Sequence, residues 1–305
     1  MWNDFELALK KMFTFCSGKT IVLWGYGKGG WFIKYLFDRA NKQIEYLVDD
    51  NPNIRAHESY FIRTLDPKRT VVLLTFSQDN RVDKYLQSWG YKEGESYYYI
   101  KKWFFEKECK SYMSYEVWLE EKYNLDITRK LEKDSTFVSN EAHVYYQGVD
   151  YGLEKVFDNF EFTQDDAVFD FGCGKGGALL MFLRAGMKKC GGVEYDEMLY
   201  NICVDNFEKL HLSTDTLIRG DAAEVTSELD TYNYFFLYDP FEGELFRKVI
   251  SNIEESYMRK KRKIMLIYKA PFCDASVTKN NMFKLCKQIK IDNWTFPQVN
   301  IYMLG

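Results

Sequence analysis

The sequence predicts an α/β protein with two parallel-sheet units in series, the second closed by an antiparallel hairpin. Three observations predict it. An apolar strand runs into a glycine-rich turn and then an apolar helix twice, at "TIVLWGYGKGGWF" (20–32) and at "AVFDFGCGKGGALL" (167–180). Strand and helix patterns alternate after each turn, the pattern of parallel strands joined by crossover helices. The tail, "IKIDNWT" followed by "VNIYML", looks like two antiparallel strands pinned by Pro297.

Residues 1–15 are an amphipathic helix carrying charge throughout, unlike a secretory leader. "TIVLW" (20–24), "IEYLVD" (44–49), "TVVLLT" (70–75) and "SYYYI" (96–100) are the strands of the first unit, with helices over 30–40 and 79–89. Residues 101–135 are charged and helical and read as a connector or cap, followed by a loop and helix over 144–160. From 166 the second pattern has strands 167–171, 190–194, 215–219, 233–238 and 263–269, with the clearest helix at 244–258. The expected division is 1–106, an accessory domain; 107–160, a helical connector or cap; and 161–305, the second sheet domain. A length of 305 residues suits about two domains.

Composition narrows the function classes. A net charge of −4 argues against a general nucleic-acid binder, which needs a basic face. No apolar run approaches the ~18 residues of a membrane-spanning helix. Seven cysteines without a CxxC pair, and three scattered histidines, give neither zinc spacing nor a disulfide framework, and suggest a reduced, cytoplasmic protein. No metal site is expected. Aromatic residues make up 18%, which serves core and interface filling or a stacking surface for sugars or bases. "RKKRK" (259–263) falls at a helix C-terminus, where cations complement the helix dipole.

Both glycine runs fit the G-x-G-x-x-G spacing, through Gly25, Gly27 and Gly30 and through Gly172, Gly174 and Gly177. Such a turn brings backbone close to a ligand and presents a helix N-terminus to it. "SGKT" (17–20) is no P-loop, since it lacks the earlier glycine and precedes a strand. Their surroundings separate the two turns. Asp170 precedes the second turn by two residues, where the first has Leu23. An acid there suits a cationic ligand end and not a pyrophosphate. Glu194 ends the next strand, where it could accept two ribose hydroxyls, and Asp221 follows the third, where a base would lie. Asp239-Pro240-Phe241 follows the fourth. Four acids in order, each at the carboxyl end of a successive strand, mark the edge at which open α/β sheets bind ligands.

On "DFGCGKGG", "VEYDE", "GDAAE" and the terminal hairpin, residues from about 116 to 305 resemble class I S-adenosylmethionine-dependent methyltransferases. "EEKYNLDIT", "YYQGVDY" and "FFLYDPF" sharpen the likeness to a bacterial branch with an N-terminal helical cap. The fold this implies is a class I methyltransferase Rossmann-like sheet, mostly parallel with a C-terminal antiparallel hairpin, preceded by a smaller Rossmann-like domain and a helical connector. The resemblance implies S-adenosyl-L-methionine as cofactor. It implies that Asp170 with the amides of Gly172 and Gly174 holds the methionine end, Cys173 and Gly176 lying in the same loop. Glu194, with Tyr195 beside it, would take the ribose, and Asp221 with Ala222 the adenine. Asp239 and Tyr146 are the expected catalytic residues: Asp239 would face both cofactor and acceptor, and Tyr146, with Tyr151, would close over the site or pack the cap.

The expected reaction is methyl transfer to a small-molecule or glycan-type acceptor. Two other readings stay open: a non-catalytic S-adenosylmethionine-binding regulator, and amino-group methylation through Asp239-Pro240-Phe241, which resembles a D/N-P-P-Y/F signature without its second proline. The first unit resembles small Rossmann-like domains of sugar-modifying enzymes. Asp49 sits about 20 residues past its glycines, where a nucleotide or nicotinamide site would put an acid. Packing or homodimerisation is the other expectation for it.

Overall fold

The computed structural model describes residues 2–129, 151–280, 282–291 and 298–305. The chain divides into two compact units, Met1–Lys122 and Tyr123–Gly305.

The first unit runs α1 (Asn3–Phe15), β1 (Thr20–Trp24), α2 (Lys28–Arg39), β2 (Tyr46–Val48), β3 (Thr70–Leu74), α3 (Asn80–Ser88), β4 (Tyr97–Tyr99), a single turn α4 (Lys101–Phe104) and α5 (Tyr115–Tyr123). Its sheet order is β2-β1-β3-β4, with every pairing parallel. The central strands are continuous apolar runs because both faces are covered, and Val71 to Leu74 are all fully buried. Tyr97 and Tyr99 bury their rings in the same core and donate their hydroxyls to Asp83 Oδ1 at 3.2 and 2.9 Å. A buried phenol keeps its proton where such a partner exists.

The segment that begins at α5 carries so many charges that it reads as a connector, yet α5 is built into the first unit. Trp118, 1% exposed, stacks on Trp2 at 5.6 Å and meets the edge of Phe5 at 5.4 Å. Glu116 and Glu120 are buried beside Val117 and Leu119. A helix covered on all sides shows no apolar stripe, so periodicity cannot reveal it.

The second unit contains α6 (Tyr151–Phe157), β5 (Ala167–Phe171), α7 (Gly177–Arg184), β6 (Lys189–Glu194), α8 (Glu197–Lys209), β7 (Leu217–Arg219), β8 (Tyr234–Tyr238), α9 (Gly243–Arg259), β9 (Ile264–Lys269), the short α10 (Asp274–Val277), β10 (Lys284–Lys290) and β11 (Gln298–Leu304). The seven strands are ordered β10-β11-β9-β8-β5-β6-β7. β5 to β9 pair in parallel, and β11 runs antiparallel to both β9 and β10. Helices on both faces bury β5, β6, β8 and β9 almost completely. Rings from Phe157, Phe162, Phe182, Tyr234 and Phe236 touch in series between α6, α7 and the sheet. These aromatic side chains fill core.

The first strand of the hairpin, expected at 289–295, is described over Lys284–Lys290, residues 292–295 lying outside the described residues. It is an exposed edge strand with lysines at 284, 287 and 290 and a bulge between Leu285 and Lys287. Edge lysines and bulges oppose edge-to-edge pairing, and they also hide the strand from a hydrophobicity reading. Pro297 lies outside the described residues.

The basic run after α9 is structural in part. Arg262 makes five hydrogen bonds, to the carbonyls of Leu229, Tyr232, Ser256 and Lys260 and to the Ser256 hydroxyl, at 2.6–3.2 Å. It closes the C-terminal carbonyls of α9 and ties them to the segment before β8. Arg259 forks onto Asp230. Arg262→Met should cost the second unit about 2–3 kcal/mol, since charge-assisted hydrogen bonds to otherwise unsatisfied carbonyls are lost. Urea unfolding checks it; a change below about 0.5 kcal/mol, the scale of an ordinary surface substitution, would mean that the run is only solvated surface.

Candidate cofactor site

The carboxyl edge of the second sheet gathers the acids singled out in the sequence. β5 is central, with Asp170 opposite Gly192 of β6 and Phe236 of β8. The turn after it, Gly172–Gly176, uses left-handed backbone at Gly172, Gly174 and Gly176 (φ +85°, +52° and +83°). Close approach excludes side chains as well. A Cβ on Gly176 would lie 2.8 Å from Cys203 Sγ, and one on Gly172 would lie 2.9 Å from Pro240 Cβ. The second contact brings the Asp239-Pro240-Phe241 turn directly onto the glycine turn. β6 is similarly shaved: a Cβ on Gly192 would lie 2.7 Å from Cys173 Cβ.

Asp170 is 3% exposed, and no hydrogen-bond donor among the described residues reaches its carboxylate. Burial first, and the Glu194 carboxylate second, push its pKa well above the ordinary carboxyl range. Glu194, at the end of β6, is also buried, and desolvation raises it too. Backbone donors oppose that shift: Oε2 accepts from the Gly174 amide at 2.8 Å and Oε1 from the Asp196 amide at 2.9 Å. The Tyr195 amide adds to these donors, and because a carboxylate has about four acceptor positions Glu194 keeps some acceptor capacity.

The turn's own amides have protein partners. Gly172 and Cys173 both donate to the Val193 carbonyl, Gly176 donates to the Cys173 carbonyl, and Gly174 donates to Glu194. The Gly172 and Gly174 amides, expected to hold a ligand, here donate to Val193 and Glu194 and pin the turn onto β6. Cys173 is 5% exposed beside Cys203, which together with burial pushes its thiol well up and away from the reactive thiolate.

Tyr195 is half exposed next to Glu194. Asp221 is exposed past β7 and caps a short 3-10 turn, accepting from the Ala223 amide at 2.8 Å. Ala222 is buried beneath it. Asp239 ends the β8 strand 5% exposed and in left-handed backbone, φ +41°. For a residue other than glycine that conformation is uncommon and marks a constrained position, though Asp tolerates it better than most. Phe241 is a core anchor near Phe246, ring centroids 6.3 Å apart. Tyr146 lies outside the described residues.

Four residues escaped the sequence reading. Lys175, the lysine of the glycine turn, is fully buried; its Nζ donates to Asp126 Oδ1 at 2.5 Å and to the Arg129 carbonyl at 2.9 Å. Asn206 of α8 joins the same knot, donating to the carbonyls of Asp126 and Lys175 and accepting from the Asp126 amide. "NLDIT" is thereby strapped over the glycine turn, and a Cβ on Gly177 would come within 2.7 Å of Ile127. Lys269 ends β9 opposite Tyr238, fully buried, with Nζ 3.6 Å from the centroid of the Tyr238 ring. A lone charge ending an apolar strand, as in "IMLIYK", was its available signal.

Asp126→Asn should lower the stability of the second unit by about 2 kcal/mol. Breaking a buried pair costs roughly 3–5 kcal/mol, less here because the Asp126 side chain is 34% exposed. Urea denaturation of both proteins measures it, and a difference under about 0.5 kcal/mol would show that the strap holds without the ion pair.

No family model matches the chain, and no curated protein matches it. Solved structures do. A SAM-dependent methyltransferase from Aquifex aeolicus is 14% identical, with TM-score 0.38, over 50% of this chain and 89% of its own. Magnesium protoporphyrin IX methyltransferase from Synechocystis PCC 6803, with SAM bound, is 17% identical, with TM-score 0.37, over 50% and 74%. Ribosomal protein L11 methylase from Lactobacillus delbrueckii subsp. bulgaricus is 12% identical, with TM-score 0.34, over 45% and 68%. Among the described residues, no helix is long and apolar enough to cross a membrane. The second unit is the α/β sheet the sequence led us to expect, Rossmann-like and mostly parallel with a C-terminal antiparallel hairpin, its single reversed strand inserted between β9 and β10.

Proposed function

We propose that the second unit binds S-adenosylmethionine and transfers its methyl group to a small-molecule or glycan-type acceptor. One observation carries this reading: Asp170 is a buried carboxylate beside a second buried carboxylate, with no donor of its own among the described residues, on the edge where parallel sheets hold ligands. Such a group is costly unless a cation meets it. The ammonium of a bound aminoacyl end is that cation. Glu194 then takes the ribose hydroxyls through its remaining acceptor positions, and Asp221 and Ala222 border the base, with Tyr195 available to stack.

The cofactor supplies an already activated methyl group on sulfur. The chain's task is positioning: an acceptor held in line with the transferred methyl gains up to ~7–11 kcal/mol of barrier from orientation. Asp239 is the residue we assign to that place, since the Gly172–Pro240 contact fixes its turn against the glycine turn. Its carboxylate would accept a hydrogen bond or proton from the acceptor where the chemistry releases one. The same contact also supports a second reading, an amino-group acceptor whose N–H bonds to Asp239.

Calorimetric titration of S-adenosylmethionine into the full chain tests the site. Glu194→Ala should bind at least tenfold more weakly, with Glu194→Gln intermediate because one oxygen acceptor survives. Equal affinity in all three would remove Glu194 from the site. Transfer of labelled methyl to a panel of glycans, small molecules and amines separates the enzyme from a regulator that binds the cofactor and modifies nothing.

The pH dependence follows from the raised carboxyl groups. A carboxyl whose folded pKa lies above its unfolded value of about 4 adds stability below that value and loses it as pH rises through the folded pKa. Ionised Asp170 and Glu194 are therefore a burden on the ligand-free unit. A bound cation relieves it. The rise in Tm caused by S-adenosylmethionine should grow from pH 5 to pH 7. A shift that stays flat or shrinks over that range would contradict an ammonium at Asp170.

A further inference from the structure

The first unit carries a cavity of its own, about 510 Å³, past the carboxyl ends of β3 and β4. Phe76 follows β3, Tyr99 ends β4, Lys101 follows it, and the chain from Phe105 to Cys109 forms the far side. Its volume falls within the ~300–1,000 Å³ of small-molecule sites.

The glycine turn of this unit is not the cavity. A Cβ on Gly30 would lie 2.0 Å from the Gly25 carbonyl, and one on Gly25 would meet Thr75 Oγ1 at 2.5 Å and Phe76 at 2.8 Å. Asp49 accepts from the amides of Tyr26 at 2.6 Å and Asn51 at 2.9 Å. These glycines and this acid build a tight strand–helix turn, whose outer wall is Phe76.

Lys101 is the telling residue. It is 8% exposed, and among the described residues its hydrogen bond is to a neutral group, the Cys109 carbonyl at 2.9 Å. A buried ammonium held by a carbonyl is stabilised further by any anion that reaches it. Lys102 and Lys107 also line the space, against Glu106 and Glu108. Glu106 is drawn to Lys122, 3.6 Å away, and Lys102 is paired with Glu93. The rings of Phe76 and Phe105 supply flat apolar walls.

We propose that the first unit binds a mononucleotide in this cavity, with the base against Phe76 and Phe105 and the phosphate at Lys101 and Lys107. The cavity's size, the flanking rings and the buried cation each match one part of that ligand. Its position beyond the strand ends is where a parallel sheet opens to ligands.

The test is calorimetric titration of AMP and UMP into the full chain with S-adenosylhomocysteine saturating, so that an adenosine site in the second unit is filled. We expect saturable one-to-one binding of a mononucleotide, at least tenfold weaker in Lys101→Met and at least threefold weaker in Lys107→Glu. Lys107 is exposed, so Lys107→Glu keeps the test decisive if Lys101→Met fails to fold by circular dichroism. Absence of binding at millimolar nucleotide, or affinity unchanged in the folded variants, overturns the proposal. Inorganic phosphate binding as tightly as either nucleotide overturns the part assigned to the rings.

Discussion

The second unit is organised around two carboxylates buried side by side on neighbouring strands. Both lose hydration, which raises the proton affinity of each, and the Glu194 carboxylate raises that of Asp170 further. Left uncompensated, such a pair weakens a fold. The protein compensates one of them: Glu194 takes two backbone amides, one from the glycine turn and one from the start of α8. Among the described residues, Asp170 has no such provision. This asymmetry separates a carboxylate that shapes the turn from one whose burial the described residues leave uncompensated.

The glycine turn follows from the same requirement. To place its Gly174 amide against Glu194, the chain after β5 must fold back over β6, and both strands must let it pass. Gly192 leaves room for Cys173, Gly172 for Pro240, and Gly176 for Cys203. The turn is then locked from outside by Lys175, whose buried ammonium reaches Asp126. Glycines grant the approach, hydrogen bonds to Val193 fix the height, and the lysine strap fixes the position. The acid edge is rigid because three independent contacts converge on five residues.

How far the sequence disclosed this depended on whether each interaction is local. Strand ends are local, so 167–171 and 20–24 are found where the apolar runs put them. That the acids fall at the carboxyl ends of successive strands follows from the alternation of strands and helices, whereas their order along the edge, β8-β5-β6-β7, is set by the crossovers and was not legible. Two kinds of feature stayed hidden. Residues that act across the chain, such as Asp126 with Lys175 and Asn206 at 80 positions' distance from Asp126, leave no spacing to detect. Elements whose burial contradicts their composition mislead: α5 buries two glutamates, and β10 exposes its lysines as an edge strand must. The partners of the turn amides stayed hidden for a related reason, because a sequence shows donors and not the acceptors that fold back to meet them.

The two glycine turns share a spacing and differ in what they make possible. In the first, Asp49 closes the turn by accepting the Tyr26 amide, and Phe76 covers it from β3. In the second, Glu194 plays the same closing part towards Gly174, but a further acid, Asp170, stands inside the strand before the turn. Leu23 occupies that place in the first unit and is fully buried without charge. The acid at the end of the second strand is thus a structural device common to both turns, a carboxylate that ties a glycine loop down. The acid within the first strand is what distinguishes the two turns: a buried carboxylate, Asp170, precedes the second where the apolar Leu23 precedes the first.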